Sequence, residues 1–223
     1  MIKSQRDTSQ LPKTEPTLYV TATLLNSWQR IWDAKNWVRE SEDDTVAVED
    51  KIEEAMEKAK AEFIDCLNRV PIPDNEAMKK GREYEQAVYD GKDDVFSPIV
   101  ENGEFQAAYT KQVNINGLNI MLYGILDCLK AGRIYDIKRV GHYQSRKYLT
   151  SHQHPMYFAL VPKARDFCYL VMDDKGDHHI ERYEPCNCEN VEDVIAEFIT
   201  WLQSNDLFKT YTEKWRWDAR KRR

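Results

Sequence analysis

Three charged residues lie close together in two segments whose alternating pattern predicts neighbouring β-strands. Asp127 closes the first segment, and Asp136 and Lys138 lie two residues apart in the second. Residues two apart in a strand project from the same face, so Asp136 and Lys138 share a face while Ile137 points into the core. A short turn joins the two strands, and we therefore expect Asp127 and Asp136 to converge near one edge of the hairpin.

These side chains suit a hard divalent cation. Two or three carboxylates and a backbone carbonyl, that of Ile137, would form an all-oxygen site for Mg²⁺, with Mn²⁺ as a substitute. A cation in such a site polarises a phosphate and lowers the pKa of a bound water molecule. Lys138 would then orient that water or stabilise charge developing on the phosphate. The alternative is structural: Lys138 would be a solvated strand residue, and the aspartates would pair with neighbouring basic residues, namely Lys130, Arg133 and Arg139.

A helix predicted from Asp74 or Asn75 to about Tyr89 carries a further carboxylate. Glu85 lies on its packed side, where an unpaired carboxylate would be costly. A bound cation would resolve that cost, and so would pairing with a core tyrosine or arginine. Gly81, one turn earlier, is a poor helix former, and we expect it to permit the close approach of another element.

Another predicted helix carries Gln153 and Tyr157, which share one face because they are four residues apart. Pro155 between them requires that the helix begin shortly before Gln153, so that the proline falls in the first turn. Gln153 then lies at the helix start, where polar groups meet ligands. We interpret His152 and His154, which flank it, as helix-start or phosphate-contact residues rather than metal ligands.

Taken in order, these segments resemble the PD-(D/E)XK nuclease superfamily, and more narrowly its RecB-type branch of exonucleases, which includes phage recombination nucleases. The matching segments are Gly81-Arg82-Glu83-Tyr84-Glu85, Gly124-Ile125-Leu126-Asp127, Asp136-Ile137-Lys138 and Gln153-His154-Pro155-Met156-Tyr157. The resemblance implies a restriction-endonuclease-like αβββαβ core and metal-dependent cleavage of DNA phosphodiester bonds in recombination, repair or phage DNA processing. It also implies that the catalytic residues are Glu85, Asp127, Asp136 and Lys138.

The same resemblance bears on cofactors and partners. Its iron–sulfur members carry one cysteine near the N-terminal helix, whereas the first cysteine here is Cys66, so we expect no cluster. The chain has no helicase motif, and a helicase or single-strand annealing protein would be a separate partner. Oligomers are possible in this superfamily. The alternative function is that of a non-catalytic or partner-dependent member that binds DNA or protein.

The composition indicates a soluble globular protein. The 223 residues are 42% hydrophobic and 31% charged, and they contain no apolar run long enough for a membrane span. The polar segment Met1 to Lys13 lacks the apolar core of a secretion signal, so we expect a cytoplasmic protein. Five scattered cysteines argue against a disulfide framework.

A net charge of -6 argues mildly against a nucleic-acid partner. However, much of the acid lies between residues 40 and 65, away from the motifs. Basic residues close to the motifs, which we predict to support DNA binding, are Arg139, Arg146 and Lys147. A basic tail over residues 213–223 contains Trp215 and Trp217, a combination that suits phosphate contact and base stacking, or else a solvated terminus. We expect DNA affinity to be modest and sensitive to salt.

The periodicity predicts one α/β domain with a mixed central sheet flanked by helices and with an N-terminal helical addition. A flexible lead-in occupies 1–17, the domain 18–212, its helical part 18–90 and its catalytic core 81–184. Helices are predicted near 21–38, 45–67, 74–89, 143–160 with an interruption near 150, and 191–202. Strands are predicted near 105–115, 118–129, 133–139, 167–172 and 179–183.

Overall fold

The computed structural model describes residues 17–41 and 47–218, and for residues 36–41, 47 and 48 it describes the backbone alone. The predicted lead-in therefore falls almost entirely outside the described residues. So does the end of the predicted basic tail, from residue 219 to 223.

The described residues form six strands and seven α-helices. The strands are β1 (Leu18–Val20), β2 (Glu104–Ile115), β3 (Leu118–Lys130), β4 (Arg133–Arg139), β5 (Asp166–Met172) and β6 (His178–Tyr183). The helices are α1 (Ala22–Ser41), α2 (Ala47–Asn68), α3 (Glu76–Tyr89), α4 (Ser97–Val100), α5 (Gln153–Leu160), α6 (Val191–Ser204) and α7 (Phe208–Lys214). Apart from the single turn of α4, the run from α3 to β5 has the predicted αβββαβ order, and α1 and α2 form the predicted helical addition.

Strand β3 organises the sheet because it pairs with three other strands. β2 runs antiparallel along one edge of β3 over nearly its whole length. The other edge is shared: β1 pairs parallel at residues 120–122, and β4 pairs antiparallel at residues 128–130. β5 then adds parallel to β4, and β6 antiparallel to β5. Between residues 122 and 128, this second edge of β3 has no strand partner among the described residues.

Helices cover both faces of the sheet and enclose two apolar cores. The larger core lies against α1, α2, α5 and α6, and the smaller one against α3 and α4. Alternate residues of β5 enter the two cores: Phe167 and Tyr169 enter the larger, and Cys168 and Leu170 the smaller. β5 is thus buried on both faces, which accounts for its continuous apolar sequence.

Local signals in the sequence explain where several elements begin and turn. The Thr21 hydroxyl accepts the Leu24 N–H at the start of α1, and Asn75 caps α3 through the Met78 N–H. The predicted hairpin turn at Asn116 and Gly117 has two positive φ angles, 52° and 84°, which match the twist of the flanking strands.

The structure corrects the helix predicted from residue 143. Only residues 153–160 are helical, and residues 145–150 form turns. The turns are held by β6, because the Glu181 carboxylate accepts hydrogen bonds from the Tyr143 hydroxyl and the Arg146 N–H. This contact joins segments far apart in the chain, so the local pattern carries no signal for it. The short elements β1, α4 and α7 were not predicted either.

The aromatic residues of the predicted tail belong to the fold. Trp215 is buried and donates its indole N–H to the Leu67 carbonyl at 2.8 Å, and its ring packs against Tyr19. Trp217 donates its backbone N–H to Thr17 and lies against the Tyr123 ring. Neither alternative considered for the tail, base stacking or a solvated terminus, holds for Trp215, since its ring anchors this segment to α2 and β1.

Candidate functional site

The candidate site lies where β3 and β4 separate. Cys128 and Tyr135 form the last pair between these strands, and the carboxylate of Asp127 fills the space beyond them. Its Oδ2 accepts a hydrogen bond from the Ile137 N–H at 2.9 Å, in place of a backbone partner. The N–H and C=O of one strand residue project to the same edge, so the Ile137 carbonyl also faces this gap. The prediction that Asp127 ends its strand is wrong, because β3 continues to Lys130.

Asp136 lies at the centre of the site and is 1% exposed. Its Oδ2 is 2.7 Å from the Lys138 ammonium, so the two side chains share a face as their spacing predicts. Its Oδ1 accepts a hydrogen bond from the side-chain amide of Gln153 at the start of α5. Three of the four sequence motifs, those that contain Asp127, Asp136 and Gln153, thus contact one another in the structure.

The basic residues considered as alternative partners of the aspartates bind elsewhere. The Lys130 ammonium donates to the Ile99 carbonyl at 2.7 Å. Arg133 pairs with Asp166 on β5, and Arg139 pairs with Asp174 at 2.9 Å. Lys138 is 34% exposed and pairs with Asp136, so it is not a freely solvated strand residue.

The electrostatics of the site reflect an excess of carboxylate over cation. Burial, followed by the charge of Asp136, raises the pKa of Asp127 to about 8. Burial alone would lower the pKa of Lys138, but the charges of Asp136 and Asp127 outweigh it and hold that pKa above its ordinary value. Lys138 is therefore a cation at neutral pH. A second cation in the gap would favour the ionised form of Asp127.

The donor set fits a hard divalent cation. Asp127, Asp136 and the Ile137 carbonyl supply oxygen atoms only, which favours Mg²⁺ or Mn²⁺ over softer metals. Within residues 17–41 and 47–218, no group of three or more histidine, cysteine, aspartate or glutamate side chains is arranged to hold a metal. Mg²⁺ commonly takes only one or two carboxylates and completes its shell with water and substrate phosphates, so two aspartates satisfy its needs.

Glu85 reaches the edge of the site from α3. Its Oε1 accepts hydrogen bonds from the Tyr89 hydroxyl at 2.6 Å and the Gln106 amide at 2.5 Å. Tyr89 also lies 3.1 Å from the backbone carbonyl of Asp127, and the Glu85 charge contributes to the raised pKa of Asp127. Glu85 is half-buried, and the predicted pairing with a tyrosine is present, while its role toward a cation stays a prediction. The contribution of Gln106 was not predicted.

Tyr157 fastens α5 to β3 beside the gap. Its hydroxyl donates to the Ile125 carbonyl at 2.8 Å, on the stretch of β3 that lacks a strand partner on one edge. Gly124 makes this approach possible, because a Cβ there would lie 2.6 Å from Cε1 of Tyr157 and 2.9 Å from Cδ1 of Leu160. Gly124 therefore has the close-packing role that was predicted for Gly81. At Gly81 a Cβ would meet nothing within 4 Å, so that prediction is wrong.

The same substitution should have opposite effects at these two glycines. Gly124→Ala should lower the free energy of unfolding by about 1–3 kcal/mol, because the added methyl group collides with α5. Gly81→Ala should raise it by about 0.5–1 kcal/mol, because the position is in the interior of a helix with free space around it. Urea denaturation of both variants measures the two effects. Equal effects of the two substitutions would contradict the packing of α5 against Gly124.

The two histidines that flank Gln153 are not phosphate contacts. His152 and His154 are 4% and 3% exposed, and the His154 ring stacks on Tyr183 at 4.2 Å. Burial lowers the pKa of each to about 4, and both are neutral at pH 7. Of their two interpretations, the helix-start position is confirmed, since His152 is the N-cap of α5, and phosphate contact is wrong, because neither ring is accessible to a substrate.

Tyr148 is a further residue that the sequence did not single out. Its ring stacks on Tyr169 at 4.2 Å, and its hydroxyl is buried with no hydrogen-bond partner among the described residues. Burial is the main cause that raises the pKa of Tyr148 to about 12, and the charges of Lys138 and Asp136 also affect this pKa. Arg146 and Lys147 are exposed on the turns just before it. Tyr148 was missed because this segment was predicted to be helical.

The sequence matches no protein-family model, and no curated protein matches it. Among solved structures, the protein SSO0001 aligns with 88% of this chain and 80% of its own, at 12% identity and a TM-score of 0.49. A candidate exonuclease of Eubacterium rectale aligns with 88% of this chain and 82% of its own, at 12% identity and a TM-score of 0.42. The αβββαβ order of the core follows from the helices and strands of this chain itself.

None of the helices in the described part of the chain is long and apolar enough to cross a membrane.

Proposed function

We propose that the protein is a Mg²⁺-dependent deoxyribonuclease of the PD-(D/E)XK superfamily, in its RecB-type branch. The observation that carries the proposal is the convergence of Asp127, Asp136, Lys138 and Gln153 on the gap between β3 and β4. Separate motifs far apart in the chain meet there in the αβββαβ order that the resemblance implies. Asp136 is buried, Asp127 is half-buried with a raised pKa, and one cation lies beside them, a combination that is typical of functional sites.

In the proposed mechanism, Asp127, Asp136 and the Ile137 carbonyl would hold Mg²⁺, with Glu85 as a further ligand. The bound cation would act as a Lewis acid toward a phosphate and would lower the pKa of a bound water molecule. Lys138 is protonated and one-third exposed, so it donates hydrogen bonds to phosphate oxygens as their negative charge develops. It does not serve as a base, because the carboxylates beside it keep its proton bound. Gln153 orients Asp136 through its amide.

The substrate side of the proposal relies on the exposed basic residues next to the site. Arg146 and Lys147 lie on turns adjacent to Tyr148, and we propose that they contact the DNA backbone. Arg139 pairs with Asp174 and would have to exchange that partner for a phosphate. A helicase or annealing protein would be a separate partner in DNA recombination, repair or phage DNA processing.

The test uses the purified chain with linear and covalently closed circular DNA, with Mg²⁺, with Mn²⁺ and with a chelator. An exonuclease degrades the linear DNA and spares the circle, whereas cutting of the circle indicates an endonuclease. Lack of cleavage under every metal would contradict the proposal of an autonomous nuclease. Calorimetric titration with MgCl₂ then separates the remaining candidates. A partner-dependent nuclease binds the metal, and a non-catalytic member does not.

A further inference from the structure

The turns that follow β4 cover the face of the sheet on which Asp136 lies. Asp136 on β4 lies beside Tyr169 on β5, which in turn lies opposite Glu181 on β6, so the three side chains form a row on this face. The Tyr148 ring stacks on Tyr169, with 4.2 Å between the ring centroids. Glu181 accepts the Arg146 N–H and so holds the turns onto the same face. Tyr148 therefore lies over the row, next to the centre of the candidate site.

The hydroxyl of Tyr148 is buried although it has no hydrogen-bond partner among the described residues. Buried polar groups are nearly always paired, so each exception needs an explanation. Stacking on Tyr169 does not explain the hydroxyl, because a phenylalanine ring would stack equally well. Burial is the largest influence on the pKa of Tyr148, and the charge of Lys138 is the next, which agrees with a position of the hydroxyl near the ammonium.

Lys138 and a bound cation would compete for one oxygen of Asp136. Oδ1 of Asp136 accepts a hydrogen bond from the Gln153 amide, and Oδ2 lies 2.7 Å from the Lys138 ammonium. Oδ2 is thus the oxygen that would turn to a cation at the candidate centre. Asp136 is the partner of Lys138 among the described residues, and loss of this contact without a replacement would leave a partly buried ammonium unpaired.

We propose that Tyr148 is a positioning residue for Lys138, and that its hydroxyl accepts a hydrogen bond from the ammonium once Asp136 turns to a divalent cation. The inference rests on the proposed function, since it requires that cation. A tyrosine hydroxyl can accept and an ammonium can only donate, so the two groups match. Through this exchange of partner, Lys138 keeps its charge and its place beside the substrate phosphate.

Tyr148→Phe separates this role from a structural one, because the variant keeps the stacked ring and lacks only the hydroxyl. In the presence of a chelator, its melting temperature should equal or exceed that of the wild type, since the hydroxyl has no partner to lose. Its Mg²⁺ affinity, measured by calorimetry, should fall about 10-fold, because the displaced ammonium has no second partner. The kcat of DNA cleavage should also fall about 10-fold, with little change in the KM for DNA.

Tyr183→Phe is the matched control on the same face of the sheet. The Tyr183 hydroxyl donates to Oε2 of Glu181 at 2.8 Å, so it has a partner without any metal. Tyr183→Phe should therefore lower the melting temperature in the presence of a chelator. It should leave the Mg²⁺ affinity unchanged, because Tyr183 does not contact Lys138 or Asp136.

The outcomes distinguish this inference from the proposed function. If the wild type binds Mg²⁺ or Mn²⁺ and Tyr148→Phe binds it equally well, the exchange of partner is refuted and the proposed function stands. A melting temperature of metal-free Tyr148→Phe that falls as in Tyr183→Phe would also refute it, since the hydroxyl would then have a structural partner. Absence of metal binding by the wild type would overturn both proposals together.

Discussion

Asp136→Asn should lower the rate of DNA cleavage at saturating Mg²⁺ by about 1,000-fold. The substitution keeps the shape of the side chain and an oxygen that can accept from Gln153, but it removes the charge at the centre of the site. It also removes the partner of Lys138, whose ammonium lies 2.7 Å from Asp136. The pKa of Asp127 should fall, because the charge of Asp136 is the second cause of its elevation after burial. Single-turnover cleavage and calorimetric Mg²⁺ binding measure these effects.

Asp166 offers a matched control for this substitution. Asp166 is also 1% exposed, but its carboxylate pairs with Arg133 on β4 and with Arg182 on β6, outside the candidate site. Asp166→Asn should therefore lower stability while leaving the rate per folded molecule unchanged, because it weakens a buried ion pair outside the site. A cleavage rate that survives in Asp136→Asn would show that the centre of the site is placed wrongly.

Acidification should destabilise the protein through His152 and His154. Both have a pKa near 4 in the folded protein, mainly because burial disfavours the charged ring. In the unfolded chain they take up protons near pH 6.5. Their contribution to stability is therefore fully present above pH 6.5 and is lost as the pH falls through 4. The shift corresponds to at most about 3 kcal/mol for each histidine.

Urea denaturation between pH 7.5 and pH 4.5 measures this loss. Asp127 acts in the opposite direction, because its pKa of about 8 makes stability fall as the pH rises from about 4 to 8. Substitution of both histidines by glutamine removes their titration while leaving that of Asp127. The loss of stability on acidification should be smaller in the double variant. An identical pH dependence in wild type and double variant would refute the assignment of acid sensitivity to these histidines.

The predictable parts of the site follow from short-range geometry. Strand periodicity places Asp136 and Lys138 on one face and Ile137 in a core, and the structure has all three there. Helical spacing places Gln153 and Tyr157 together on α5, with Pro155 in its first turn. The contacts between motifs, such as that of Gln153 with Asp136, do not follow from this periodicity. The resemblance to a nuclease family is what implied that the motifs would meet at one site.

The unpredicted parts depend on contacts between segments far apart in the chain. Gln106 and Tyr148 carry no pattern in the sequence that marks them, because one acts through a left-handed backbone and the other through a turn held by β6. β1 is three residues long, too short for a periodic signal, and exists because β3 has a free edge for it.

By itself, the amino-acid sequence determined the order of the longer helices and strands, the hairpin turns and the faces on which the charged residues lie, because these follow from side-chain periodicity and local turn chemistry. Only the tertiary structure decided that β3 loses its strand partner beside Asp127, and that Gly124 rather than Gly81 admits a neighbouring element. The tertiary structure also decided that Trp215 of the tail is part of the core. Those outcomes depend on which segments meet in space, and a strand edge or a glycine has the same local sequence whether or not another element packs against it.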